Sequence, residues 1–323
     1  NRRIGLSATH KRFMDDEGTD KIEDFFKGSG NPPDSVVYTL KLDDAINAQS
    51  KGIADQDLLC HYQYYPEFTE LTDDEFNEWH YLSREIGKNY AIINSKTKKN
   101  PNADVSSQLK QIKNLKQNRA LNLKKRTSNK KEAFNRVVNK IPTDRQVLVF
   151  CEDTEQLDSL VEVLNDNSKS YRIYKSSGLT KEQKKSHLEL FAKGEIDYLI
   201  SMKALDEGLD VPDCDTCIIV ASDTSPRQSV QRRGRILRIG LRDITKVAHL
   251  YDIFCVPPMS SNNLQNNDGD HEPFQDSIES LFQHEITRMD ILAEAADNKT
   301  AVEADVDHMV QQYNCQMKNF NRI

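Results

Sequence analysis

The densest cluster of residues that could carry out chemistry lies between Gln228 and Arg238, in the sequence QSVQRRGRILR. It holds four arginines and two glutamines around Gly234. Guanidinium groups this close repel one another unless an anion lies opposite, and arginine suits forked hydrogen bonds to phosphate oxygens. A solvated basic helix face is the alternative, since most charge runs have that role. The strand-like run Cys217–Ala221 just before the cluster favours a helix that binds phosphate.

A second polar segment, Leu205–Pro212, reads LDEGLDVP and follows another strand-like run, Tyr198–Ser201. Strands and helices alternate with short connections from Pro142 to Val256, and this alternation predicts a parallel, doubly wound α/β sheet. Ligands of such sheets bind at the carboxyl ends of the strands, which is where this second segment falls. The expected fold class is therefore α/β.

Five segments resemble motifs III, IV, IVa, V and VI of the superfamily 2 helicases and translocases, in the family's order: Gly5–His10, Leu148–Cys151 with Thr154, Tyr174–Phe191, Ser201–Asp210 and Gln231–Arg238. The sequence departs from the family pattern at Ser7, His10 and Lys184, where Thr, Pro and Arg are usual. The resemblance extends to about Pro257. It is strongest to the branch that contains XPB-like, UvsW-like and type I and III restriction-subunit translocases, and it implies a RecA-like sheet.

The resemblance also implies how this chain would act on ATP. Arg235 and Arg238 would be arginine fingers, which stabilise the charge on the transferring phosphoryl group, and Gln231 would hold the γ-phosphate or its water. Gly208 and Asp210 would meet the ribose and the closing cleft. Their neighbours at positions 232 and 233 are expected either to be structural or to lie near DNA.

Nucleic acid is expected to run across the carboxyl ends of the strands. Contacts there go mostly to phosphates, so binding would tolerate many sequences and would weaken with salt. By resemblance, four residues would make these contacts: Thr154, Ser177, Gly178 and Ser201. Ser7 and Thr9 would couple the nucleotide state to this track. Ordinary strand-end hydroxyl groups are the alternative interpretation of the serines and threonines.

The segment from Lys96 to Lys140 is strongly basic, with Asp104 and Glu132 as its only carboxylates. The whole chain has a net charge of −7 and a pI near 5.7, so the remainder is acidic. A polyanion responds to local charge within a Debye length of about 10 Å. Four cations are expected to line one helical side that faces nucleic acid: Lys110, Lys113, Lys116 and Arg119. A solvated helix face is the default alternative.

The resemblance and the residue patterns divide the chain into four parts. Residues 1–30 are expected to end a first RecA-like lobe, and residues 31–71 with 141–257 to form a second lobe. Residues 72–140 carry almost no strand pattern and are expected to form a basic helical insertion. Residues 258–323 are expected to form a loop and a helical tail, because apolar residues recur there at spacings of three and four.

Local signals predict several element boundaries. Thr72 has the position of an N-cap, with Glu75 three residues later as its capping-box partner, so a helix is expected to begin there. Lys21–Phe26 is expected to be a short helix and Val36–Leu42 a strand. A polar break is expected around Asn94–Asn102, between two helices of the insertion.

The sequence contains no GxxxxGK[ST] phosphate loop and no acidic box that would hold magnesium. ATP with Mg²⁺ is the expected cofactor, with the Mg²⁺ ligands on an N-terminal RecA-like lobe that would be a partner of this chain. The chain alone is therefore expected to be inactive. The expected function is the C-terminal motor half of an ATP-dependent DNA helicase or translocase, with RNA as the alternative track. A restriction or phage-defence motor and a non-hydrolysing scaffold are the alternative functions.

Six cysteines are scattered along the chain, several of them within apolar runs where a reduced thiol packs as a small hydrophobic side chain. Only Cys214 and Cys217 have the spacing of a metal or redox pair, and no second pair answers them, so no metal site is expected. No apolar run approaches the roughly 20 residues that span a bilayer. We expect a cytoplasmic or nucleoid-associated location and no membrane partner.

Overall fold

The computed structural model describes residues 16–27, 39–125, 127–175, 177–202, 214–221, 226–239, 245–261 and 272–320. Four predicted site residues lie outside this described part: Ser7, Thr9, Gly208 and Asp210. Within it, no helix is long and apolar enough to cross a membrane.

A six-stranded, all-parallel sheet forms the centre of the molecule. Its strands are β1 (His61–Glu70), β2 (Val147–Cys151), β3 (Tyr171–Lys175), β4 (Tyr198–Met202), β5 (Thr216–Ile219) and β6 (Val247–Val256). They lie in the order β1-β6-β5-β2-β4-β3. The predicted fold class, a parallel α/β sheet, is confirmed.

The helices are α1 (Asp16–Phe26), α2 (Leu42–Ile46), α3 (Asp73–Lys99), α4 (Ser106–Lys125), α5 (Lys130–Lys140), α6 (Thr154–Asp166), α7 (Lys181–Ala192), α8 (Pro226–Ile236), α9 (Glu272–Leu292) and α10 (Lys299–Gln311), with a short 3-10 turn at Met317–Asn319. Successive residues of a strand point to opposite faces of its sheet, so the fully buried strand β2 supplies both cores. Leu148 and Phe150 pack with α8, α9 and α10. Val147 and Val149 pack with α5 and α6 on the other face.

Helix α3 begins where the capping signal predicts. The Thr72 hydroxyl accepts from the Glu75 amide at 3.3 Å, and the Glu75 carboxylate accepts from the Thr72 amide at 2.9 Å. The predicted break at Asn94–Asn102 is wrong in extent, because α3 continues to Lys99 and only residues 100–105 separate it from α4. Basic residues in the last turn stabilise that helix end against the helix dipole.

The strand predicted at Val36–Leu42 is wrong at its carboxyl end, where Leu42 begins α2. Asp43 and Asp44 lie in the first turn of α2, where carboxylates complement the positive end of the helix dipole. Residues 36–38 lie outside the described part of the chain.

Helix α9 docks on the sheet through a buried charged cluster. The Arg288 guanidinium donates to Asp252 of β6 at 3.2 Å and to Glu285 at 2.7 Å, and the Tyr64 hydroxyl of β1 donates to Asp252 at 2.7 Å. Burial raises the pKa of Asp252 even though Arg288 opposes the shift. Because buried charges are stable only when they are paired, these contacts fix the position of α9 on the sheet.

Candidate functional site

Helix α8, which carries the arginine cluster, buries one of its sides against the sheet. Arg232 is fully buried, donates to the main-chain oxygen of Ala221 beyond the end of β5, and lies 5.0 Å from the centre of the Phe150 ring. Ile236, one turn later, is also fully buried. Arg232 therefore holds α8 against the strands from inside the protein.

Arg233 is the second buried arginine of α8 and contacts the end of α9. It donates to the Ile291 main-chain oxygen, in the last turn of α9, and its guanidinium lies 3.0 Å from the Glu294 carboxylate. A cation at the C-terminus of a helix complements the helix dipole. The Tyr62 hydroxyl donates to the next carbonyl of the same turn, that of Leu292, at 3.0 Å. Arg232 and Arg233 were expected either to be structural or to lie near DNA, and these contacts show the structural role.

The other side of α8 carries the predicted catalytic residues. Gln231 and Arg235 are four residues apart, on one side of the helix, and both are partly exposed. Arg238 is exposed and lies just beyond the end of α8. The structure therefore leaves all three predicted residues at least partly exposed, two on one side of α8 and one just beyond its end.

The segment before β1 fixes the main chain at the end of α8. Leu59 forms an antiparallel bridge with Arg238, and the Cys60 amide donates to the Leu237 carbonyl at 2.9 Å. Lys246 donates to the Arg238 carbonyl at 3.0 Å. These long-range contacts fix the position from which the Arg238 side chain extends, and no local sequence pattern predicts them.

Strands β2, β4 and β3 are neighbours, so their carboxyl ends meet at one edge of the sheet. Thr154 is the exposed first residue of α6, and its hydroxyl lies 3.9 Å from the sulfur of Met202 at the end of β4. Ser177 and Gly178 are exposed after β3. Gly178 has a φ of 82°, in the left-handed region that favours glycine. The structure thus gathers these three predicted residues at one edge.

Ser201 differs from the other predicted nucleic-acid contacts. It lies inside β4, paired in register with Phe150 and Tyr174, and it is completely buried. Its main-chain oxygen accepts from the Cys151 thiol at 3.6 Å. The structure therefore places the Ser201 hydroxyl below the surface of the strand-end edge, and its contact with nucleic acid stays a prediction.

The four cations of α4 do not line one side of the helix, so the predicted stripe is wrong. Each step of three residues falls about 60° short of a full turn, and three such steps carry Arg119 to the side opposite Lys110. Lys110 and Lys113 are exposed, whereas Lys116 donates to the Tyr90 hydroxyl of α3 at 3.0 Å.

Arg119 is partly buried between α4, α3 and α9. It donates to Ser83 of α3 at 2.8 Å and to Ser280 of α9 at 3.3 Å, and its guanidinium lies 4.3 Å from the Trp79 ring centre. Burial lowers the pKa of Arg119 to about 10, which still leaves it charged at neutral pH. These hydrogen bonds join the insertion to α9, and contact of Arg119 with nucleic acid stays a prediction.

Within the described residues, no group of three or more His, Cys, Asp or Glu side chains could hold a metal ion. All six cysteines are buried, and none of them forms a disulfide. Burial raises the pKa of the Cys214 thiol to about 12, and Cys214 packs in the core with Cys217. A thiol of this kind is a poor metal ligand, because the thiolate is the form that binds.

Comparison with known proteins identifies the region that contains α5 to α8. Residues 129–240 match the family described as "Helicase conserved C-terminal domain". The chain is 31% identical over 133 residues to the ATP-dependent helicase brm of Drosophila melanogaster, covering 40% of this chain and 8% of that protein. It is 28% identical over 123 residues to the DNA 3'-5' translocase XPB2 of Sulfurisphaera tokodaii, covering 37% of this chain and 26% of the relative. The chain thus spans a minor part of the relatives it matches.

Two solved structures have lower sequence identity. The C-terminal part of the Fun30 ATPase domain aligns at 13% identity and a TM-score of 0.42, covering 73% of this chain and 98% of the other. The Hef helicase domain of Pyrococcus furiosus aligns at 16% identity and a TM-score of 0.38, covering 60% of this chain and 56% of the other.

Proposed function

We propose that this chain, whose residues 129–240 match the helicase conserved C-terminal domain, is the second motor lobe of an ATP-dependent DNA helicase or translocase of superfamily 2. The observation that carries the proposal is the division of α8 into two sides. Arg232 and Arg233 are buried and hydrogen-bonded to main-chain carbonyls, while Arg235 is partly exposed on α8 and Arg238 is exposed just beyond its end. The first pair holds the helix in place, and the second pair carries positive charge where a partner with negative charge can reach it.

The donors on the outward side of α8 fit a triphosphate presented by a first lobe. Guanidinium groups donate in a fork that matches phosphate oxygens, and Gln231 adds an amide that can hold the γ-phosphate or its water. Bound ATP with Mg²⁺ would supply the phosphoryl group, with its phosphate loop and metal ligands on the first lobe. Gly208 and Asp210 are proposed to meet the ribose and the closing cleft.

Arg235 and Arg238 would act on turnover through contacts that are strongest in the transition state. Negative charge grows on the transferring phosphoryl group in the transition state, and Arg235 and Arg238 would stabilise that charge more than they stabilise bound ATP. Because α8 is held on its other side by Arg232 and Arg233, the two outward guanidiniums would be positioned before ATP arrives. Preorganised charge of this kind lowers the barrier without a cost of reorganisation.

DNA is the proposed track, with RNA as the alternative. Thr154, Ser177 and Gly178 would contact phosphates at the strand-end edge. Ser201 would join them only if β4 moved, and Ser7 and Thr9 would couple the nucleotide state to this edge. Contacts to phosphates carry little sequence information, so binding would be sequence-tolerant.

The test replaces each outward arginine by alanine in a protein that contains both lobes. Arg235→Ala and Arg238→Ala are each expected to lower kcat at least about a hundredfold with little change in ATP affinity, since a finger acts on the transition state. Arg172→Ala is the matched control, because Arg172 is an exposed arginine on edge strand β3 of the same lobe. Near-normal turnover in both finger variants would overturn the proposal.

A second test uses residues 1–323 alone. We expect no magnesium-dependent ATP hydrolysis with or without nucleic acid, because the sequence contains no phosphate loop. Nucleic-acid-stimulated turnover by this purified chain would show that it holds a complete ATP site.

A further inference from the structure

Helix α3 carries an exposed stripe that the sequence interpretation missed. Six of its residues follow one another at spacings of three and four: Tyr81, Arg84, Lys88, Ile92, Ser95 and Lys99. With 100° per residue they fall within a sector of about 80°, and they extend for about 27 Å along the helix. All six are exposed, including 61% of Tyr81 and 44% of Ile92. We call this set the outer stripe.

The opposite side of α3 is its packed side. Trp79 and Ile86 are buried there, and the Trp79 indole donates to the Ser277 carbonyl of α9 at 3.0 Å. The His80 ring stacks on Phe274 with 4.4 Å between the ring centres. The core therefore accounts for the inner side of α3 and not for the exposed apolar residues of the outer stripe.

The same part of the molecule concentrates positive charge. Between Ile86 and Lys116, which covers the outer halves of α3 and α4, the chain has seven lysines and a single carboxylate, Asp104. The full chain is acidic, at −7. Four of these lysines make no ion pair with any described residue: Lys98, Lys99, Lys110 and Lys113. A face that only needed solvation would mix both signs, whereas lysines greatly outnumber carboxylates here.

One acidic side chain does lie beside the outer stripe. Glu85 pairs with Lys88 at 2.5 Å, and the Lys88 side chain remains mostly exposed in this pair. Exposed ion pairs contribute about 0 to 1 kcal/mol, so a phosphate can replace Glu85 as the partner of Lys88. The pair therefore leaves the charge of the stripe available.

Exposed rings accompany these cations. Tyr81 stands at one end of the outer stripe. Tyr90, 42% exposed, lies on the other side of α3, where it faces α4 with the Lys116 ammonium 5.3 Å from its ring centre. Aromatic side chains interleaved with cations are the usual means by which proteins bind single-stranded nucleic acid, because bases stack on the rings while phosphates meet the charges.

We propose that the outer stripe of α3 binds a single strand of nucleic acid, with the phosphates on Arg84, Lys88 and Lys99 and a base stacked on Tyr81. The proposal rests on the proposed function, since a motor lobe acts on nucleic acid, but it assigns a second binding surface apart from the strand-end edge. The stripe is rigidly connected to the rest of the chain. Arg119 and Trp79 on the inner side of the insertion both contact α9, whose last turn receives Arg233 of α8.

The test is a salt titration of oligonucleotide binding by residues 1–323, with a single-stranded and a duplex probe of equal length. The stripe variant combines Arg84→Gln, Lys88→Gln and Lys99→Gln, and the control combines Lys27→Gln, Lys193→Gln and Lys318→Gln, which removes three exposed lysines elsewhere. On the single strand, the slope of log K against log salt is expected to flatten by about 0.7 for each lost contact, or about 2 in all. The control slope should equal that of the wild type.

Tyr81→Ala separates stacking from charge. It is expected to weaken single-strand binding about tenfold with an unchanged salt slope, and to leave duplex binding unaltered. Circular dichroism and thermal melting establish that each variant is folded. A Tyr81→Phe variant, which keeps the ring, should bind like the wild type.

Three results would overturn the proposal: no detectable binding by the chain, equal slopes in the stripe variant and the wild type, or equal losses in the stripe and control variants. Equal salt slopes in the stripe variant and the wild type would instead favour a protein as the partner that binds the stripe. The two-lobe turnover assay of Arg235→Ala reads the proposed function independently. If Arg235→Ala lowered turnover as expected but the stripe variant kept the wild-type salt slope, the second binding surface would be rejected and the proposed function would stand.

Discussion

Helix α8 and the α3–α4 hairpin are both dense in cations, but the structure uses their charges differently. Two of the four arginines of the α8 cluster donate to main-chain carbonyls inside the protein, and this fixes the helix that carries the other two. In the hairpin formed by α3 and α4, Arg119 makes the corresponding inward contacts near the core, and most lysines of the outer half are exposed. Buried guanidiniums thus position an element, while exposed cations remain available to a partner.

Both regions pack against α9, so a substitution that loosens α9 should have the largest effect on both. Arg288→Met leaves Asp252 and Glu285 buried without their cation, and removing one partner of a buried pair costs about 3 to 5 kcal/mol. We expect that loss in the free energy of unfolding measured by urea titration. The exposed Arg172→Met control should remain within about 0.5 kcal/mol of the wild type. Comparable small changes in both variants would mean that the cluster does not hold α9.

Arg119 allows a sharper comparison within the hairpin. Arg119→Gln removes hydrogen bonds to two serines and a contact with Trp79, so we expect a loss of about 1 to 3 kcal/mol of stability. The salt slope of nucleic-acid binding should be unchanged, because this side chain is directed to α3 and α9. Lys110→Gln with Lys113→Gln is the matched double variant, with the opposite expectation of unchanged stability and a flatter slope.

If Arg119→Gln flattened the slope as much as the lysine pair, the sorting of the hairpin's cations into internal and external groups would be wrong. If the lysine pair changed neither property, Lys110 and Lys113 would belong to an ordinary solvated face.

The smallest expected effect is a pH dependence at the junction of the hairpin with α9. Burial lowers the pKa of His284 below its usual 6.5, and its Nε2 has no hydrogen-bond partner in the described structure. The unfolded chain therefore takes up the proton first as the pH falls. His284 contributes its full stability above pH 6.5, and that contribution decreases as the pH falls from 6.5 toward the folded-state pKa.

Urea midpoints at pH 7.5 and pH 5.5 measure this effect. His284→Asn should lose less stability between the two values than the wild type, whereas His308→Asn, at an exposed position of α10, should behave like the wild type. An equal loss in His284→Asn and the wild type would contradict the assignment to His284.

The sequence was informative where structure is decided locally. Helix α1 includes the helix expected at Lys21–Phe26, and α3 starts at the Thr72 capping box. These features depend on residues within one or two turns of each other. Apolar periodicity likewise predicted strands and helices that alternate, and this was enough to give the parallel sheet.

The sequence was least informative where distant segments meet. The Arg233–Ile291 and Arg119–Ser280 contacts join residues 58 and 161 positions apart, and no local pattern distinguishes these arginines from their exposed neighbours. The misplaced stripe of α4 had a different cause. Residues spaced by three move progressively around a helix. The alternating three-and-four spacing of α3, visible in the sequence, is the pattern that keeps residues on one side.

The most direct test of the account compares Arg232→Gln with Arg235→Gln in a protein that contains both lobes, measuring ATP turnover and the free energy of unfolding for each. Arg235→Gln should lower kcat at least about a hundredfold at nearly wild-type stability. Arg232→Gln should lose about 1.5 to 3 kcal/mol of stability, because it removes a charged hydrogen bond to Ala221 inside the protein. If Arg235→Gln kept its turnover, or lost it only in proportion to unfolding, the division of α8 into a structural and a catalytic side would be contradicted.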